Sequence, residues 1–128
     1  MAALYPLNIS LGNRSWPLFA RRKHDAGFKE IRQKVWNRDR HTCQFCGFQA
    51  SVHMDVVNLD GNYRNNKISN LITACPFCSQ CLFIEYIGKV DYGGGVLIYL
   101  PKITQNQLNA FCHVLFCAIA NATDYMQD

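Results

Sequence analysis

The sequence predicts an α+β fold: one small domain, 1–128, in which helices and short strands gather around a four-cysteine knot. Three observations predict it. Two Cys-x2-Cys knuckles, Cys43/Cys46 and Cys75/Cys78, stand 28 residues apart. Between them lies a strand-like passage, Phe48 to Leu59, closed by the turn signal Asp60-Gly61-Asn62. Helical periodicity flanks the knot: Phe28, Ile31 and Val35 before it, and Leu108, Phe111, Cys112, Leu115, Phe116 and Ile119 after it.

The knuckles carry the chemistry. Each sets two sulfurs on a tight turn, where both can point at one ion. Gly47 follows the first pair and tolerates the positive φ such a turn needs. Paired CxxC knuckles at this spacing read as a four-thiolate zinc ribbon spanning 43–81. The expected ligands are Cys43, Cys46, Cys75 and Cys78, and the expected cofactor is one structural Zn2+. Cys81 is a spare thiol beside the second knuckle and an alternative to Cys78. His41, two residues before Cys43, reads as an exposed side chain.

Composition limits the rest. A chain of 128 residues suits a single domain. The longest apolar run, Val114 to Ala120, falls far short of the ~20 residues of a membrane span. No basic region followed by an apolar core opens the chain, so no export signal is read. Seven cysteines then read as reduced thiols of a cytoplasmic protein. The formal charge is +4. Four thiolates and one zinc ion would lower it to about +2, too little to argue for nucleic acid.

Taken in order, Leu7-Asn8-Ile9 reads as an edge strand, since Pro6 is tolerated only at a strand start or edge. Gly12 to Ser15 reads as a turn, and Trp16, Leu18 and Phe19 as core anchors. Arg21-Arg22-Lys23-His24 reads as a solvated basic face beside a helix start. Asp25 caps a helix over about Ala26 to Arg38. Ser69 or Asn70 caps a short helix from Leu71 that carries the second knuckle. The helix continues through Leu82 to Ile87 and ends at Gly88. Tyr92 to Gly95 reads as a glycine loop, and Val96 to Leu100 as a strand. Thr104, with Gln107 three places on, forms a capping box for a helix over about 104–122. Cys112 and Cys117 fit as small buried hydrophobes, and His113 as structural or exposed. Asn121 to Asp128 reads as a frayed or cut end.

The pattern Arg38-Asp39-x3-Cys43-x2-Cys46-Gly47, then Asn70-Leu71, then Cys75-x2-Cys78, resembles the HNH endonuclease frame. That resemblance implies a ββα core stapled by a zinc ribbon, with a separate catalytic ion and a histidine base. Val57 and Asn58 take the metal-ligand and general-base positions, Asn70 the middle asparagine, and Ser79 the place of a metal-binding histidine. Valine binds no metal, and asparagine takes no proton from water near neutral pH. Such losses remove a factor of roughly 10²–10⁴ in rate for the base alone. His53, Asp55 and Asp60 are the residues a shifted register would recruit.

A closer resemblance covers nearly the whole chain. Phe28 to Arg40, Thr42 to Ala50, Asp55 to Gly61, Cys75 to Cys81, Tyr92 to Pro101 and Cys112 to Ile119 are similar to the IcmJ/DotN family of the Dot/Icm type IVB secretion system. It implies a catalytically inactive adaptor of the coupling complex, peripheral to the cytoplasmic face of the inner membrane without inserting in it. The implied partners are the C-terminal extension of the coupling ATPase DotL and other complex subunits, and the implied role is effector recruitment. Members of the family continue past residue 128, so the chain reads as C-terminally truncated. The alternatives are an active HNH nuclease and a zinc module binding nucleic acid through Arg21, Arg22, Lys23, Arg38 and Arg40. Phe83, Tyr86, Tyr92 and Tyr99 are the candidate partner-facing aromatics.

Overall fold

The organising unit is a two-stranded hairpin running into a helix. In a computed structural model, which describes residues 4–9, 15–87, 95 and 97–121, β1 (Asp55–Asn58) pairs antiparallel with β2 (Leu71–Ala74). Asp55 faces Ala74, and Asn58 faces Leu71. β2 then enters α1 (Pro76–Cys81). Residues alternate across the hairpin. Val57, Ile72 and Ala74 join the core around the cysteines, and Val56 and Leu71 join Phe28 and Val35 on the opposite face.

The expected helix from Leu71 is thus a strand, and the helix begins only at Pro76. Proline explains the boundary. It disfavours helical backbone in the residue before it and suits the first helical position. Cys75 is accordingly extended, at φ −75° and ψ 162°. The helix also stops earlier than expected, at Cys81. Phe83 leaves helical geometry and is buried, and a single 3-10 turn follows at Ile84–Tyr86. Only the last part of the Phe48-to-Leu59 passage is a strand. His53 turns the backbone to a φ of 63°, which breaks the extended run.

Among the described residues two α-helices precede the first knuckle. We number them αN1 (Trp16–Lys23) and αN2 (Lys29–Arg38). αN1 was not expected from the sequence. It carries Trp16 and Phe19 into an aromatic cluster with Tyr63 and Phe83, where Phe19 and Phe83 stack at 4.9 Å. Such pairs contribute about 0.5–1.5 kcal/mol beyond area burial. Asp25 caps the turn into αN2, accepting from Gly27 N at 2.9 Å. At the other end Arg38 grips Asp39 and donates to the carbonyls of Ile68 and Leu71, while Asp39 accepts from Thr73 N at 2.9 Å. The helix end is therefore clamped to β2.

Residues 7–9 form no strand: Tyr5 N donates to Gln44 O, but Leu7 N donates to the side chain of Asn106, and Pro6 between them offers no donor. Residues 97–100 are exposed and unpaired in any ladder. The expected turn at 12–14, Gly88, Tyr92 to Gly94, Val96 and the end beyond 121 lie outside the described residues.

The last helix, αC (Gln105–Ala120), has the expected capping box at Thr104 and Gln107. Its facing is the reverse of expectation. Phe111, Leu115, Phe116 and Ile119 are exposed, and Asn109 is its buried residue. Polar side chains turn inward because the surface beneath them is a polar one, built of sulfurs and knuckle carbonyls.

Candidate metal centre

Local backbone aims the four cysteines at one point. In the first knuckle Gly47 N donates to Cys43 O at 2.9 Å, and Gly47 takes a φ of 84°, as its place in the turn demands. In the second, Cys75 follows β2 as the helix N-cap and Cys78 sits one helical turn on, with its N–H aimed at the Cys75 sulfur. The Sγ atoms of Cys43, Cys46, Cys75 and Cys78 all lie within 4.8 Å of one another and are buried. Cys46 and Cys75 sulfurs are 3.7 Å apart.

Those spacings fit a tetrahedral thiolate site. Bonds of about 2.3 Å to one ion would set sulfurs about 3.8 Å apart. Hydrogen bonds from Cys46, Cys75 and Cys78 hold the Cys43 thiol far below the usual range, and the same contacts push Cys75 and Cys78 up. A dication lets all four ionise together. The four cysteines could therefore hold a metal ion, and among the described residues they form the one such group of His, Cys, Asp or Glu.

Cys81 stands apart from this group. Its thiol donates to Phe77 O at 3.3 Å, and burial pushes its pKa up. Cys117 is exposed and Cys112 half-buried, against the expectation of two buried thiols; both ride on the helix whose facing is reversed. His41 is half-buried beside Trp36, with ring centroids 5.8 Å apart.

The polar positions of the hairpin are bound internally. Val57 is fully buried. Asn58 is buried and accepts from Arg22 Nη1 at 2.6 Å. Ser79 donates to Asp55 at 2.7 Å, and Asp55 also pairs with Lys23 at 3.3 Å. Asn70 donates to Asp60 at 2.9 Å, and that exposed carboxylate is held low by bonds from Asn65, Asn62 and Asn70. His53 is exposed. The structure does not gather His53, Asp55 and Asp60 into an ion site.

Arg22 is the residue that sequence reasoning missed. Read as part of a solvated face, it is instead 7% exposed. It donates to Asn58, to Asn66 at 3.2 Å and to the Val56 carbonyl. Its guanidinium lies 4.4 Å from the Phe28 ring centroid and 5.0 Å from that of Tyr63. Burial lowers its pKa to about 10, partly opposed by Tyr63 and Asp55, so it stays charged at neutral pH. Its three-residue spacing from Trp16 and Phe19 was the available signal.

Of the candidate aromatics, Phe83 is buried, Tyr86 half-buried and Tyr99 exposed, while Tyr92 lies outside the described residues. Among the described residues no helix is long and apolar enough to cross a membrane.

No protein-family model matches the sequence. Among curated proteins the chain is 61% identical, over 111 residues, to the Type 4 apparatus protein DotN of Legionella pneumophila subsp. pneumophila strain Philadelphia 1. The match takes in 87% of this chain and 52% of that relative, so the chain spans about half of DotN's length.

Proposed function

Given that the chain belongs, over its matched residues, with the IcmJ/DotN proteins of a type IV secretion apparatus, we propose that it is a zinc-stapled, non-enzymatic subunit of the coupling complex. In this reading it binds the C-terminal extension of the coupling ATPase DotL at the cytoplasmic face of the inner membrane and supports effector recruitment. Cys43, Cys46, Cys75 and Cys78 hold one Zn2+ as a closed structural site. Zinc suits four buried thiolates, and such sites contribute about 10–16 kcal/mol of apparent binding energy to folding.

One observation carries the non-enzymatic part: the guanidinium of Arg22 is packed against Asn58. The order strand, strand, helix supports an HNH-like core, with Asn58 at the base position. A fixed cation and an amide there supply neither a proton acceptor nor room for a second ion. Arg22 and Arg38 also direct their donors to groups within the chain, which weakens the case for phosphate binding.

The outer face of αC supports a protein-binding role. Phe111, Val114, Phe116 and Ile119 are all more than half exposed. Apolar patches of this kind mark interaction surfaces.

The test pairs plasmid nicking, with magnesium, manganese or nickel added to the zinc-loaded chain, with pull-down on the DotL extension. The reading expects no cleavage above metal alone and retention of the chain. Cleavage that disappears in Cys43→Ser would overturn it.

A further inference from the structure

We propose that Asn109 and His113 are positioning residues that latch αC onto the metal centre through N–H···S hydrogen bonds to Cys78 and Cys75. The inference rests on reading the cysteine cluster as a metal centre.

The contacts are specific. Asn109 Nδ2 lies 3.2 Å from Cys78 Sγ, and 3.8 Å from Cys81 Sγ. Its Oδ1 accepts from Gln105 Nε2 at 2.8 Å, which fixes the amide with its NH2 toward sulfur. A buried amide donor needs a partner, and here the partners within reach are sulfurs. One turn on, His113 Nε2 lies 3.2 Å from Cys75 Sγ. A metal-bound thiolate can only accept, so Nε2 carries the hydrogen.

The ring of His113 is held in place by both knuckles. It stacks on Phe48 at 3.7 Å with planes 4° apart, and on Phe77 at 4.5 Å. Phe48 follows the first knuckle, and Phe77 lies inside the second. Asn106 completes the inward row by donating to the Phe45 carbonyl at 2.7 Å. The inner face of αC is thus read off the metal centre, and Phe111, Val114, Phe116 and Ile119 are left outside.

Two consequences follow. Four thiolates on one dication carry a net charge of about −2, which donated hydrogen bonds disperse. Groups that bond to ligand atoms from outside typically change metal affinity by about 10–100-fold. Linkage makes the effect reciprocal: metal occupancy also holds αC, and with it the exposed apolar face.

The test compares the parent chain with Asn109→Leu and His113→Phe, which keep shape or stacking and remove the N–H. Zinc affinity is read by chelator competition, αC protection by hydrogen exchange, and ligand electronics by the thiolate-to-cobalt charge-transfer band of cobalt-loaded protein. Each variant is expected to lose about 10–100-fold in affinity, to exchange faster along αC, and to move the band to longer wavelength. A merely space-filling role would leave the band in place. Unchanged affinity and band in both variants, with the parent still binding metal, would overturn the latch alone. A parent that binds neither zinc nor cobalt would overturn the metal centre and the latch with it.

Discussion

Arg22 and Asn58 are 36 residues apart in sequence and 2.6 Å apart in the fold. The pair joins αN1 to β1. Asn58 in turn donates to the carbonyls of Asn62 and Asn65, each at 2.9 Å, and so secures the loop between the strands. Replacing Arg22 by Met leaves Asn58 and the Val56 carbonyl without a charged donor. Hydrogen bonds to charged groups contribute about 1.5–3 kcal/mol each, so a net loss of about 3 kcal/mol is expected. Urea unfolding of the metal-loaded protein measures it. Arg22→Lys should recover little, because a point charge cannot reproduce the planar fork over two rings.

Asp39 joins the clamp between αN2 and β2. Asp39→Ala removes the acceptor for Thr73 N–H, which lies in a fully buried strand. The expected cost is about 1–3 kcal/mol. A midpoint unchanged from the parent would show that the clamp is dispensable.

The reversed facing of αC makes a sharp prediction. In a core, Phe→Ala costs about 3–5 kcal/mol. Phe111 is 55% exposed, so Phe111→Ala should stay within about 0.5 kcal/mol, and Phe116→Ala, which removes an edge contact to Phe77 at 5.6 Å, should cost no more than about 1.5 kcal/mol. Under the proposed function, the corresponding glutamate variants should fold normally and lose retention on the DotL extension. Destabilisation by the core amount would return the helix to its expected orientation.

Alkaline stability tests the Arg22 pocket from another side. Burial pushes the Tyr63 phenol from 10.0 up to about 12. Its folded pKa is raised, so its contribution is present below the unfolded value and is lost as pH climbs from 10 towards 12. Arg22 runs the other way. Burial lowers its pKa from the ordinary guanidinium range to about 10, so its burial penalty fades as pH rises through the same window. Tyr63→Phe leaves only the arginine. The difference in stability between variant and parent should therefore shift in the variant's favour between pH 10 and 12, as read by urea midpoints. A difference independent of pH would contradict this.

The cysteine cluster was legible because knuckle spacing encodes a local turn, and Gly47 marks where that turn needs positive φ. Asp25 and the Thr104–Gln107 capping box were legible for the same reason: the partner lies within a few residues. The strand at Leu71–Ala74 was not. A short buried apolar run serves helix or strand equally, and the deciding signal was Pro76. Arg22 and αC were misread because both invert the usual sorting of polar and apolar groups. Arg22 is buried because Asn58, Asn66 and two aromatic rings await it from distant parts of the chain. αC turns Asn106, Asn109 and His113 inward because knuckle carbonyls and sulfurs form its floor. Periodicity finds two faces of a helix, and only the tertiary partner decides which one is buried.

The most direct measurement is metal content followed by melting with and without a strong zinc chelator, on chain purified without added metal. The account predicts about one zinc ion per chain and loss of the cooperative transition on chelation, with Cys43→Ser behaving like the chelated parent. A metal-free chain that melts cooperatively at the same temperature with or without chelator would contradict it.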